Sequence, residues 1–104
     1  MSLNPVIKGS YTLASPQTVS VVASGSATVS ISFTPLGAGS LYVYITLPTG
    51  VTASITIGAQ TVSLSSGSNQ FLIPANTAIG NITINNSNTT AVSVVVWALF
   101  IEVA

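Results

Sequence analysis

The sequence predicts an all-β protein, an antiparallel β-sandwich that forms a single jelly roll of about eight strands. One observation behind this prediction is that apolar and small polar residues alternate over several short stretches, as in a strand with one wet face. Another is that Gly, Pro, Asn and Ser interrupt these stretches about every eight to twelve residues, the spacing of sandwiches and barrels. No stretch keeps helical periodicity over even three turns. At 104 residues, the chain is expected to be one domain spanning residues 1–104.

The expected strands follow one another with short turns between them. They cover residues 6–13, 18–24, 27–34, 40–47, 51–57, 60–64, 69–73, 78–85 and 90–103. Ser15-Pro16 is expected to end the first strand. Gly25-Ser26 is typical of a two-residue hairpin turn, and Gly80 is expected to mark a bulge.

The longest apolar run is the last one, residues 91–103, and both of its alternating faces are apolar. One face would carry Val92, Val94, Val96, Ala98 and Phe100, and the other Val95, Trp97, Leu99 and Ile101. A membrane helix needs about 20 such residues, so the run is too short to span as a helix, and no transmembrane segment is expected elsewhere. Its β-branched residues favour a strand. We predict a central strand with the core on one side and either more core or another subunit on the other.

Charge is nearly absent from this chain. Lys8 is the only basic side chain and Glu102 the only acidic one, and there is no His or Cys. General acid–base catalysis, zinc and transition-metal sites, and calcium sites all draw on residue types that are missing, so no catalytic residue, metal or cofactor is expected. A Ser–Lys dyad through Lys8 would lack the usual Ser-x-x-Lys pattern. One Lys cannot neutralise a phosphate backbone, which argues against nucleic acid as a partner.

Tyr42 and Tyr44 stand two residues apart on one predicted strand, so their rings project from the same face. Paired aromatics on a sandwich face can stack on sugar rings, which makes a glycan receptor one candidate partner. They can equally pack on the sheet or at a subunit contact. Both interpretations stay open from the sequence.

Lys8 and Glu102 lie near opposite ends of the chain. The first and last strands of a jelly roll run side by side and antiparallel, so we expect these residues on neighbouring strands. There they form either a partly buried ion pair, since a lone buried charge is costly, or two unrelated exposed charges.

Three Asn residues stand in glycosylation sequons: Asn81, Asn85 and Asn88. Asn81 and Asn85 are expected on the outward face of their strand. A chain so rich in Ser and Thr carries about two sequons by chance, so the motif alone is weak.

The uncharged surface is the most informative anomaly. Soluble domains carry about a quarter charged residues, which oppose association, and edge strands are normally guarded by Lys or Pro. A cysteine-free, nearly uncharged chain rich in Ser, Thr, Val and Ile that closes on residues 91–103 resembles the small β-sandwich surface proteins of viruses and filaments from acid-loving archaea. In those families such domains form jelly-roll capsid, turret or spike subunits, or pilus-like threads joined by strand donation. The resemblance implies a role but no functional residue.

We therefore expect a non-enzymatic structural subunit that assembles with copies of itself and with other structural proteins at a virion surface or outside the cell. The alternatives are a filament subunit and a carbohydrate- or receptor-binding head. A thread subunit is expected to show a leader and a donor strand, and residues 1–5 show neither clearly. Acid stability is also expected, because acid unfolding comes mostly from protonating carboxylates.

Overall fold

The protein is described by a computed structural model that covers residues 7–103, with side chains from Gly9 onwards. Stretches of alternating side chains form eight β-strands in this part of the chain. The strands are β1 (Ile7–Val21), β2 (Gly25–Val29), β3 (Gly39–Ile45), β4 (Val51–Ile57), β5 (Gln60–Leu64), β6 (Gly67–Ile73), β7 (Ile79–Asn86) and β8 (Val92–Val103). Residues 7–103 contain no helix, and hence none that is long and apolar enough to cross a membrane. The predicted all-β class is confirmed.

The strands form two four-stranded antiparallel sheets that face each other. Sheet A has the order β1-β8-β3-β6 and sheet B the order β2-β7-β4-β5. Only the β4–β5 hairpin stays within one sheet, and every other connection crosses from one sheet to the other. This is the strand order of a jelly roll. The first and last strands pair as predicted, and Gly9 lies opposite Glu102 in their register.

The core lies between the two sheets and is built from one face of each strand. From sheet A, β8 contributes Val94, Val96, Ala98 and Phe100, all fully buried. From sheet B, Ile55, Ile82 and Ile84 are equally buried. Each buried Val, Ile or Phe side chain contributes about 1.5–3 kcal/mol relative to an exposed position. β8 is therefore a central strand with the core on one side, as the sequence predicted.

The predicted break at Ser15-Pro16 is wrong, because β1 continues through it to Val21. The register with β8 shifts between Ala14 and Gln17, so Pro16 lies within an irregularity of the ladder. β1 is also an edge strand of sheet A. Edges and bulges are the places where a strand tolerates the missing proline N–H.

The predicted hairpin turn at Gly25-Ser26 is also wrong. The turn lies two residues earlier, at Ala23-Ser24, where Ser24 has φ of 51° and Gly25 N–H donates to Val22 O at 3.2 Å. The next strand joins sheet B rather than pairing with β1, so no hairpin forms.

The strand expected over residues 27–34 ends early. β2 stops at Val29, and beyond it only Phe33 bridges to Ile79. The bulge predicted at Gly80 is confirmed, since Gly80 and Asn81 together fill the interval opposite Thr56 in the β4–β7 ladder. A Cβ atom on Gly80 would lie 3.0 Å from the Cβ atom of Thr56, which favours glycine at this bulge.

Candidate functional site

The outer surface of sheet A brings together all six residues that the sequence singled out as an interface or glycan-stacking surface. Directly opposed residues of paired strands share a face, and the β3–β8 register sets Tyr42 opposite Leu99 and Tyr44 opposite Trp97. We call this set the apolar face: Tyr42, Tyr44, Val95, Trp97, Leu99 and Ile101. At its centre the rings of Tyr44 and Trp97 stack with centroids 6.0 Å apart.

The apolar face is shielded only by its own neighbours within the sheet. Val95 is 39% exposed, and the other five residues are half-buried. Sheet B packs against the opposite surface of sheet A, and no other described strand covers this one. At one end of the sheet Leu72 is 81% exposed. It borders a hollow of about 340 Å³ lined by Ala38, Gly39, Ser40, Leu72, Ile73, Pro74 and Val103.

The outer surface of sheet B has the opposite character. Its register aligns Ser26 and Thr52 on either side of Asn85, and Thr28 and Ser54 on either side of Thr83. We call this set the hydroxyl face: Ser26, Thr28, Thr52, Ser54, Thr56, Thr61, Ser63, Thr83 and Asn85. The sandwich therefore presents an apolar, aromatic surface on one side and a neutral polar surface on the other.

The three sequon residues differ in what their side chains do. Asn85 is exposed and lies on the hydroxyl face. Asn81 is also exposed, and its Oδ1 accepts a hydrogen bond from Ile31 N–H at 3.1 Å. The Nδ2 atom of Asn88, the atom that a glycan would occupy, donates to Thr49 O at 2.9 Å. Glycosylation at these positions stays a prediction.

Asn86 is a structural residue that the sequence reasoning missed. It is 3% exposed, and its Nδ2 lies 3.0–3.2 Å from the carbonyl oxygens of Val21, Val22 and Thr90. Its Oδ1 accepts from Asn88 N–H at 2.9 Å. This side chain joins the end of β1 to the turn before β8. The available signal was alternation, which places Asn86 on the inward side of β7 with Ile82 and Ile84.

Glu102 is buried, with only 5% of its surface exposed. Its Oε1 accepts a hydrogen bond from Gly37 N–H at 2.7 Å, and Tyr11 Oη lies 3.5 Å from its Oε2. A Cβ atom at position 37 would lie 2.6 Å from Oε1, so glycine is what lets the backbone approach the carboxylate. The strand carrying Lys8 pairs with the strand carrying Glu102. The Lys8 side chain lies outside the described side chains, and the ion pair stays a prediction.

Aromatic rings line the end of the sandwich beside Glu102. The ring centroid of Phe33 lies 5.2 Å from that of Tyr11 and 5.7 Å from that of Phe100. Between this cluster and the loop after Phe33 is a hollow of about 410 Å³, lined by Tyr11, Phe33, Thr34, Leu36 and Glu102. We call it the Glu102 hollow. It combines one carboxylate with aromatic walls, two features that attract positively charged groups.

Comparison with known proteins finds the same fold in a viral protein. The C-terminal domain of a structural protein from Sulfolobus turreted icosahedral virus has a TM-score of 0.51 and 21% identity, over 90% of this chain and 99% of that one. A de novo designed double-stranded β-helix has a TM-score of 0.45 and 16% identity, over 81% of this chain and 97% of that one. A cupin domain from Schizosaccharomyces pombe has a TM-score of 0.43 and 13% identity, over 97% of this chain and 65% of that one. No known protein family and no curated protein matches the chain. The resemblance to archaeal virus proteins is thus confirmed at the level of the fold.

Proposed function

We propose that this protein is a non-enzymatic structural subunit that assembles, through its apolar face, into the shell, turret or spike of a virion. The observation that carries the proposal is the apolar face itself: aromatic and aliphatic, without a charged residue, and uncovered by any described strand. Exposed apolar surface of this kind marks an interface. The fold shared with a structural protein of a virus supports the same role.

The contrast between the two outer surfaces would orient the subunit within an assembly. The apolar face would be buried against a neighbouring copy, and the hydroxyl face would remain in contact with solvent at the virion surface or outside the cell. The apolar face spans only two strands, β3 and β8, which lie about 4.8 Å apart. This is a small surface beside the ~800 Å² of accessible area that each partner buries in a standard stable complex. A single such contact is therefore weak, and a lattice would repeat it.

The direct test is the association state as a function of concentration, measured by sedimentation velocity and light scattering. Trp97→Lys puts a charge at the centre of the apolar face. Thr83→Lys is the matched control, because Thr83 also lies outward on a central strand, but on the hydroxyl face. We expect the wild type and Thr83→Lys to associate with rising concentration and Trp97→Lys to remain monomeric. A wild type that stays monomeric throughout, or association that Trp97→Lys leaves intact, contradicts the proposal.

A carbohydrate- or receptor-binding head is the second candidate. It is favoured by the near-parallel Tyr44 and Trp97 rings beside Tyr42, since flat aromatic surfaces suit the faces of sugar rings. A glycan array distinguishes the two: binding that Tyr42→Ser and Trp97→Lys abolish, by a protein that stays monomeric, selects this candidate. Micrometre-long fibres in electron micrographs would instead select the filament alternative.

A further inference from the structure

The only acidic side chain of the protein lies at the Glu102 hollow, away from the apolar face. Glu102 is 95% removed from solvent yet lines an open space of about 410 Å³. Burying a carboxylate is costly unless it is hydrogen-bonded and its charge is balanced. The negative charge of Glu102 therefore needs a hydrogen-bond donor or a cation to balance it.

The two carboxylate oxygens of Glu102 differ in the strength of their hydrogen bonds. Oε1 has a short hydrogen bond from Gly37 N–H, at 2.7 Å. Oε2 has Tyr11 Oη at 3.5 Å, which is long for a hydrogen bond between two oxygens, normally about 2.5–3.0 Å. A carboxylate offers about four lone-pair positions. Among the described groups, then, Oε2 retains capacity for a stronger donor.

The walls of the hollow define the chemistry of that donor. Tyr11 and Phe33 present tilted rings with centroids 5.2 Å apart, and aromatic faces attract cations within about 6 Å. Leu36, 83% exposed, lies at the rim and offers contact to an alkyl chain. A carboxylate at the base, aromatic rings beside it and an aliphatic rim together match an ammonium group carried on a hydrocarbon stem.

We propose that the Glu102 hollow is a binding site for a primary alkylammonium group, which donates a hydrogen bond to Glu102 Oε2. The group has two sources. One is the side chain of Lys8, the only lysine of the chain, whose neighbour Gly9 lies opposite Glu102 in the β1–β8 register. The other is a free amine. This inference does not depend on the proposed assembly role.

The test uses the backbone amide of Gly37 as a reporter, because it donates directly to Glu102. Its ¹H–¹⁵N signal is followed while n-butylammonium chloride is added to the wild type and to Lys8→Met. Neutral n-butanol and sodium chloride at matched concentrations are the controls for the alkyl stem and for ionic strength. We expect a saturable shift with n-butylammonium in Lys8→Met, and binding at least about tenfold weaker with n-butanol, which lacks the charge.

The wild type decides the source of the ammonium group. If it also shows the saturable shift, the hollow serves free amines; if only Lys8→Met does, Lys8 fills it. Glu102→Gln in the Lys8→Met background keeps the carbonyl acceptor for Gly37 and should lose the n-butylammonium response. Should that double variant fail to fold, the comparison of n-butylammonium with n-butanol still reports the role of charge. No saturable shift in either protein, or an equal response to n-butanol, overturns the proposal.

Discussion

Tyr44 of β3 and Trp97 of β8 lie directly opposite each other and stack on the outer surface of sheet A, with their ring planes inclined by only 13°. Both rings remain half-buried in the isolated chain. Aromatic pairs of this kind contribute about 0.5–1.5 kcal/mol beyond their buried area. The stack therefore holds the centre of the apolar face in one arrangement.

Tyr44→Ser should lower the free energy of unfolding by about 1 kcal/mol and shift the fluorescence of Trp97 to longer wavelength. Trp97 is the only tryptophan, so the emission reports this site alone. Tyr42→Ser is the matched control, since Tyr42 lies on the same strand and face but opposite Leu99. Equal spectral shifts in the two variants would show that the stack does not shield the indole.

Asn86→Ala should destabilise the fold by about 2–4 kcal/mol, because it leaves buried carbonyl groups without their donor. Asn85→Ala, one residue away on the exposed side, should change stability by less than about 0.5 kcal/mol. Urea unfolding curves of the two variants give the comparison. Similar losses in both would mean that the side-chain hydrogen bonds of Asn86 contribute little.

The melting temperature should move by less than about 10 °C between about pH 7 and about pH 2. Glu102 is the only side-chain carboxylate that can be protonated, and there is no His to become charged. Differential scanning calorimetry across this range measures the effect. A fall of tens of degrees in the wild type would contradict the argument.

Gly37→Ala should cost about 1–3 kcal/mol, because its Cβ atom would meet the carboxylate of Glu102. Gly39→Ala should cost more, since its Cβ atom would be directed at the backbone oxygen of Ile101, which cannot move aside. The Glu102→Ala background separates the two causes. In that background Gly37→Ala should lower the free energy of unfolding much less, whereas the loss caused by Gly39→Ala should be unchanged. A double-mutant cycle of unfolding free energies would show this.

The alternation of apolar and polar residues predicted the bounds of some strands correctly and of others incorrectly. The strands over residues 51–57 and 60–64 were predicted with their observed bounds, because clean alternation flanks a turn at Gly58, which adopts φ of 61°. Pro16 was misread because tolerance of proline depends on β1 being an edge strand, and strand order is a tertiary property. Residues 30–34 keep alternating, but only Phe33 finds a bridging partner.

The candidate surfaces were predictable in parts rather than as wholes. Alternation placed Tyr42 with Tyr44, and Trp97 with Leu99, on common faces. That the two pairs form one surface follows from the adjacency of β3 and β8, which the sequence does not state. The contact between Gly37 and Glu102 joins residues 65 positions apart, and no local signal marks it.

The hydroxyl face has a consequence for how such a protein can evolve. Most of its Ser, Thr and Asn side chains are exposed, and substitutions at exposed positions of this kind typically change stability by less than about 0.5 kcal/mol. Exchanges among these residues preserve the alternation that keeps the core on the other side of sheet B. A lineage can therefore alter its exterior through neutral drift while the fold itself stays constant.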